Sequence, residues 1–363
     1  MIVKELFLKD FRNYENQNIS FSPDINVIYG DNAQGKTNIL EAVYLFAMGK
    51  SNRTYHDEEL IRLGKPFANV KMKFLSGERE IVSEITVKKG KRKRILINEI
   101  PIKRNSDLVG RFKVVYFGPE CMDLVKSGPK ARRKNFDVLI SQLHRNYFKD
   151  LSDYKKLSDS KSALLKAEKR DFNTLDIINE QLAYVSLDIM KYRFSYIKKI
   201  ENIAKEVQKE ISKNTENTEI VYNSSIGIIK DFNEKEIYGQ ICEKIEKNKK
   251  REIEFRECLT GPHRDDIDYL INGQKAKIFG SSGQQKTVSL VQKIAEVSLI
   301  FEETGEYPVL LLDDIMSELD KSRQSYILNK IKGMQIIITC TDKDGFDRID
   351  KIKEIKVSKG RIV

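Results

Sequence analysis

Gly30-Asp31-Asn32-Ala33-Gln34-Gly35-Lys36-Thr37 satisfies the pattern G-x-x-x-x-G-K-[ST] at every fixed position. Such a loop cradles phosphates. Its glycines let successive backbone N–H groups curl around an anion, and the helix that follows adds partial positive charge. Lys36 is expected to reach the β- and γ-phosphates, and the Thr37 hydroxyl to take a Mg²⁺ position, with Asn38 next to it in the first helical turn. Near the other end of the chain, Val309-Leu310-Leu311-Leu312-Asp313-Asp314 is an apolar run closed by two carboxylates. Asp313 is expected to hold Mg²⁺ through its water shell, and Asp314 to orient or deprotonate an attacking water. Together the two segments read as an ATP site.

These groups need strands and helices to hold them. INVIYG (25–30) reads as a short buried strand running into the loop, and NILEAVYLFAM (38–48) is apolar at helical spacing. VKELFLKDF, VKMKFL, REIVSEITV and ILINEIPI read as further strands, and YPVLLLD and QIIITC as buried ones. Between them the pattern changes. Leu175, Ile178, Leu182, Val185, Ile189, Tyr192 and Tyr196 recur at alternating three- and four-residue steps, a seam for a partner helix. Residues from about Tyr147 to Lys169 are helical as well and are expected to fold back antiparallel. IDYLINGQKAKIF carries Asn272-Gly273, a hairpin turn signal. The expected layout is an α/β domain of residues 1–120 and 256–363, interrupted by a largely helical insertion, 121–255.

Across 363 residues, 40% are hydrophobic and 33% charged, as in a globular protein with long solvated helices. No run of eighteen apolar residues points to a membrane span, and the charged N-terminal stretch does not read as a signal peptide. The four cysteines show no metal-ligand spacing, and a reducing, cytoplasmic setting is expected. A formal net charge of +11 favours a polyanionic partner, with DNA the default. The densest basic run is Lys88-Lys89-Gly90-Lys91-Arg92-Lys93-Arg94, and Lys130, Arg132, Arg133 and Lys134 form a second. Both suit sequence-independent phosphate contact, and both equally suit a solvated face. Neither contains an aromatic residue, so base stacking is not indicated.

Asp313-Asp314-Ile315-Met316-Ser317-Glu318-Leu319-Asp320 resembles the Walker B motif and D-loop of ABC-type ATPases. Ser281-Ser282-Gly283-Gln284 falls on their signature S-G-G-Q, just ahead of a helix. With Phe11-Arg12-Asn13-Tyr14, Gly261-Pro262-His263-Arg264-Asp265-Asp266 and the segment from Pro119 to Asp137, the chain resembles the RecF family from its first strand to its last. These are bacterial recombination-repair ATPases related to SMC proteins. The resemblance implies an ABC-type P-loop ATPase head (lobe I) with an inserted second lobe bearing a short antiparallel helical arm.

It also implies a trans arrangement. The signature of one subunit caps the γ-phosphate held by another, so ATP closes a homodimer. Ser281, the backbone of Gly283, and Gln284 would face that phosphate, and Asp320 would line the same nucleotide. Arg12 and Asn13 would lie near the base or γ-phosphate. The implied partners are DNA at gaps or single-strand/double-strand junctions, RecO and RecR, and functionally RecA. Three departures bear on rate. Ser282 replaces a glycine, Asp314 stands where most ABC ATPases have glutamate, and none of His56, His144 or His263 takes the switch position after QIIITC. Slow turnover, below roughly 1 s⁻¹, is the expectation. His263 and Arg264 read either as phosphate contacts or as parts of a structural turn, and Glu120 as a stand-in for the Q-loop glutamine. A structural DNA scaffold that holds ATP with little hydrolysis, or another SMC-like chromosome-maintenance ATPase, remains the alternative.

Overall fold

The computed structural model describes residues 1–168, 171–330, 333–342 and 351–363. The chain divides into one unit of Met1–Met122 with Lys293–Val363, and another of Asp123–Gln292. The first unit supplies β1 (Ile2–Phe11), β2 (Tyr14–Ser20), β3 (Ile25–Tyr29), α1 (Lys36–Met48), β4 (Phe67–Ser76) and β5 (Arg79–Lys88). It continues through β6 (Arg94–Ile97), β7 (Ile100–Ile102), β8 (Val114–Phe117) and α2 (Pro119–Met122). The second unit holds α3 (Pro129–Leu143), α4 (Arg145–Lys166), α5 (Phe172–Ser212), β9 (Thr218–Ser224), β10 (Gly227–Ile228) and α6 (Glu234–Phe255). After β11 (Asp266–Ile271), β12 (Gln274–Lys275) and α7 (Ala276–Phe279), the boundary falls inside α8 (Ser282–Thr304). The first unit then resumes with β13 (Val309–Asp313), α9 (Lys321–Lys330), β14 (Ile336–Cys340), β15 (Ile352–Ser358) and β16 (Arg361–Ile362).

Two sheets build the first unit. Among the described residues, one is antiparallel in the order β2-β1-β4-β5-β6-β7, and the other runs β16-β15-β3-β14-β13-β8. In the second sheet β15, β3, β14, β13 and β8 are mutually parallel. Strands covered on both faces read as unbroken apolar runs rather than alternating ones. VLLLD and IIITC obey this, with every residue buried. The antiparallel strands alternate instead, as β4 does from Ala68 to Phe74, so one face is packed and the other meets water. Helix α1 is apolar nearly all round its circumference and buried from Ile39 to Met48, as a helix between layers must be. ILINEIPI is a hairpin rather than one strand, because Asn98 and Glu99 both take positive φ (48° and 68°).

In the second unit α4 and α5 pack against each other, and α5 spans 41 residues, roughly 60 Å at 1.5 Å per residue. Leu175, Leu182, Ile189 and Tyr196 of its seam are buried, as are Ile200 and Val207 further along the helix. The helical reading that ends at Lys169 reaches beyond α4, and Lys169 lies outside the described residues. One boundary differs from the sequence reading. Residues 256–292 group with the helical unit, because β11 pairs along its length with β9 in an antiparallel sheet ordered β10-β9-β11-β12. Asn272 and Gly273 make the expected turn (φ 49° and 77°), but the returning strand is only Gln274–Lys275 before α7 begins. No described helix is long and apolar enough to cross a membrane.

Candidate nucleotide site

In a parallel sheet, ligands gather where the strands end at their carboxyl edge. The phosphate loop follows β3, Asp313 ends β13, Thr339 lies near the end of β14, and Tyr116 near the end of β8. Register makes them neighbours. Asp313 is opposite Thr339, and Leu311 opposite Tyr116. Thr37 Oγ1 donates to Asp313 Oδ1 at 2.9 Å, Thr339 Oγ1 donates to the same oxygen at 2.7 Å, and Tyr116 OH donates to Oδ2 at 2.9 Å. Asp313 is only 4% exposed, so these donors replace the water its carboxylate gives up. Burial first, and then the Asp313 charge, push the Tyr116 phenol well above its ordinary pKa, keeping it a donor.

The loop itself is held from three sides. Gly30 (φ 146°) and Gly35 (φ 115°) take backbone conformations closed to L side chains. A Cβ on Gly30 would lie 2.3 Å from the Val357 carbonyl oxygen, and one on Gly35 would lie 2.5 Å from the Asn13 side chain. Asp31, Asn32 and Ala33 form the exposed crest, with Ala33 also at positive φ (62°). The Lys36 ammonium donates to the carbonyls of Gly30 (2.5 Å) and Asp31 (2.9 Å), inside the curl that phosphate oxygens would fill. From the second side, Asn13 Nδ2 donates to the Gln34 carbonyl at 2.8 Å and Tyr14 OH to that of Gly35 at 3.1 Å. From the third, the turn between β15 and β16 bonds Gln34 through the backbone N–H groups of Lys359 (2.5 Å) and Gly360 (3.1 Å).

Arg12 is tied to the helix that follows the phosphate loop. Its Nε and Nη2 clamp the fully buried Glu41 carboxylate at 2.9 and 2.6 Å, and Nη1 donates to the Glu59 carbonyl. Ser51 also donates to Glu41, and Arg53 stands 3.6 Å from it while bonding Asn38, which in turn bonds Asn13. So Arg12 and Asn13 brace helix and loop. Asp314 takes a left-handed conformation (φ 53°) and its N–H donates to Thr339 Oγ1 at 3.0 Å, leaving its side chain partly exposed just past the strand. Glu120 lies beside Tyr116: a Cβ on Gly118 would meet the Tyr116 hydroxyl at 2.5 Å and Glu120 Oε2 at 2.9 Å. Asp320 caps α9, accepting from Ser322 Oγ (2.6 Å) and the Arg323 N–H (2.9 Å), and those bonds pull its carboxyl down to about 2.

The signature belongs to the second unit. Ser281 and Gln284 form a capping box at the start of α8. Gln284 N–H donates to Ser281 Oγ at 3.2 Å, and Ser281 N–H donates to Gln284 Oε1 at 2.8 Å. Ser282 and Gly283 are the first helical residues, so Ser282 occupies a position that any small residue fills without strain. Gln284 Nε2 also donates to Glu216 at 2.9 Å, and the buried Gln285 amide ties down the carbonyls of Ala276 and Gly280.

Several expected contacts resolve as structure. His263 accepts at Nδ1 from Tyr154 OH (2.5 Å) and donates from Nε2 to the Cys258 carbonyl (3.0 Å), a neutral ring locked in place. Arg264 bonds the same carbonyl and Glu257. Arg132 corrects the second basic run. It is 3% exposed and clamps Asp266 with two bonds of 2.8 Å, because positions 132, 136, 139 and 140 share the packed face of α3. Arg133 is half-buried and donates to the Asp265 carbonyl. In the first run Lys93 pairs with Asp57 at 2.8 Å, while Lys88, Lys89, Lys91, Arg92 and Arg94 are exposed. Sequence reading missed Tyr116 and Thr339. Their signal was a lone polar residue inside an otherwise apolar buried strand.

Parallel core, phosphate loop, paired strand-end carboxylates and a capped signature helix define an α/β ATPase head of the SMC-like ABC type. The RecF/RecN/SMC N terminal domain family model matches residues 2–363. A DNA replication and repair protein RecF of Lachnoclostridium phytofermentans is 40% identical over 99% of this chain and all of its own. One from Clostridium perfringens is 40% identical over the whole chain and 99% of its own. A solved structure of the recombination mediator protein RecF with ATP, in the RecFOR pathway, superposes with TM-score 0.93 at 36% identity, covering 100% of this chain and 97% of that one. An SMC head bound to the C-winged helix domain of ScpA shares the fold alone, at TM-score 0.58 and 17% identity, covering 100% of this chain and 97% of that one. The chain belongs to the RecF family.

Proposed function

We propose that this chain is an ATP-dependent recombination mediator that pairs with a second copy of itself on ATP, binds DNA, and acts with RecO and RecR. The observation that carries it is the Thr37–Asp313 hydrogen bond, which joins the phosphate loop to the strand-end carboxylate across 276 residues of sequence. Relatives of nearly the same length carry the RecF name, and one was solved with ATP, which supports the pathway and the ligand.

The donor set suits Mg²⁺, since Thr37 Oγ1 and Asp313 Oδ1 are adjacent hard oxygens at the mouth of the loop. When bound, Mg²⁺ would neutralise charge on the β- and γ-phosphates. The loop N–H groups from Asp31 to Thr37 and the Lys36 ammonium hold the triphosphate. Ser281, the Gly283 backbone and Gln284 of the second copy cap the γ-phosphate. Asp320 stays with α9 and borders that nucleotide. Asp314 accepts a proton from water as the water oxygen bonds to the γ-phosphorus and the bond from that phosphorus to the ADP oxygen breaks. Aspartate reaches less far than glutamate, so hydrolysis is slow and the cycle works as a switch.

Light scattering with and without ATP-Mg²⁺ tests this. Wild-type chain is expected to double its mass with ATP, and Ser281→Arg to bind ATP yet stay monomeric. A wild type that binds ATP and remains monomeric, or a variant that pairs normally, refutes the trans arrangement.

A further inference from the structure

We propose that the water-facing side of the antiparallel sheet in the first unit is a track for single-stranded nucleic acid, with Phe7 and Phe67 as stacking platforms for splayed bases. This rests on the DNA-binding reading above and deepens it. The sequence shows no aromatic residue within the basic runs, but strand pairing supplies two from elsewhere.

Lys9 of β1 sits opposite Asn69 of β4, and Phe7 opposite Lys71. With the period of two along each strand, Phe7, Lys9, Phe67 and Asn69 share one face, opposite the buried Leu6, Leu8, Ala68 and Val70. Both phenylalanines are partly exposed there and line a groove of about 570 Å³. That groove also takes Lys9, Lys88, Lys91, Arg92 and Arg94, against a single carboxylate, Glu84. The Glu84 carboxylate is occupied by the Asn69 amide at 2.8 Å. The Lys9 ammonium lies 5.7 Å from the Phe67 ring centroid, so positive charge borders the ring itself. Phe7 also lines a second groove of about 490 Å³, whose charges, Lys71 and Lys73 with Glu5 and Glu80, balance, so the cationic track is confined to the first.

Phe7 and Phe67 stand about four residues apart along the strands, roughly 13 Å. Stacked bases in a duplex repeat every ~3.4 Å per strand and keep their faces covered. Two separated aromatic faces in a cationic groove therefore suit an extended single strand, whose bases are free to leave the stack. Phosphates would run along Lys88, Lys91 and Arg94. The Lys88–Arg94 run thus becomes one wall of a built groove rather than an isolated charged tip.

The test is fluorescence anisotropy with labelled oligothymidine and with a blunt duplex of equal length, at several salt concentrations, with ATP-Mg²⁺ present. Phe7→Leu and Phe67→Leu keep apolar bulk on the sheet and remove the ring. Each is expected to weaken oligothymidine binding roughly 5- to 100-fold, leaving duplex affinity and the salt slope unchanged. Lys91→Ala is expected to lower the single-strand salt slope by about 0.7. Phe67→Tyr, which keeps an aromatic face, is expected to bind like wild type. ATP binding and thermal midpoint, measured on every variant, establish folding. Folded leucine variants that bind oligothymidine normally overturn the stacking track, as does an equal loss on the duplex. A wild type that binds neither probe overturns the DNA-binding reading on which the track rests.

Discussion

Removing the Tyr116 hydroxyl tests how far the nucleotide site depends on its strand-end cage. Asp313 is 4% exposed and accepts from Thr37, Thr339 and Tyr116 at 2.9, 2.7 and 2.9 Å. Among the described hydrogen bonds, Tyr116 is the donor to Oδ2. Tyr116→Phe conserves the ring, which packs edge-on against Tyr44 at 6.0 Å, and deletes one bond to a charged group. Such bonds are worth about 1.5–3 kcal/mol, and the loss leaves a buried carboxylate oxygen under-satisfied. Stability is expected to fall by roughly 2 kcal/mol in urea unfolding without nucleotide. The freed carboxylate also loses its orientation toward Thr37. Titration with a fluorescent ATP analogue is therefore expected to show affinity about tenfold weaker with Mg²⁺ and little changed without it. Thr339→Val completes a double-mutant cycle. The pair are expected to couple, because both bonds hold one carboxylate. Unchanged stability together with an unchanged Mg²⁺ dependence would refute the cage. Because burial and the Asp313 charge keep the phenol protonated, the effect is expected to be flat from pH 6 to 9.

Two further outcomes follow from the bracing groups. Arg12→Ala strips a bidentate partner from Glu41, whose side chain is 0% exposed, but Ser51 and Arg53 still face that carboxylate, so the first unit is expected to lose about 1.5–3 kcal/mol in urea unfolding. Pairing Arg12→Ala with Glu41→Met is expected to recover most of that loss, since no charge is then left buried. For His263, burial lowers the pKa below its ordinary 6.5, so the folded state holds the ring neutral. Its contribution is complete above that unfolded value and is lost as pH falls through the folded one. Relative to His263→Gln, wild-type stability is therefore expected to drop more steeply from about pH 6.5 downward, measured as the difference in urea midpoints.

Much of the site was legible in the sequence because it is local. The phosphate loop needs its glycines, lysine and threonine at fixed offsets, so it appears as a short string. The hairpin at Asn272-Gly273 was legible for the same reason. Arg132 misled because a cation looks alike in sequence whether it faces water or a buried carboxylate, and Asp266, which claims it, lies 134 residues away. The unit boundary near residue 255 shifted because β11 takes its partner, β9, from more than forty residues earlier.

By itself, the sequence determined that a phosphate-loop motif would follow one buried strand and paired carboxylates another, since both motifs carry their geometry in their spacing. Only the tertiary structure decided which groups stand round them. Parallel register brings Thr339 and Tyr116 to Asp313, and antiparallel register brings Phe7, Phe67 and Lys9 to one face. Those encounters depend on which strands pair and in what alignment, a choice made by burying whole apolar faces at once rather than by any short stretch of chain.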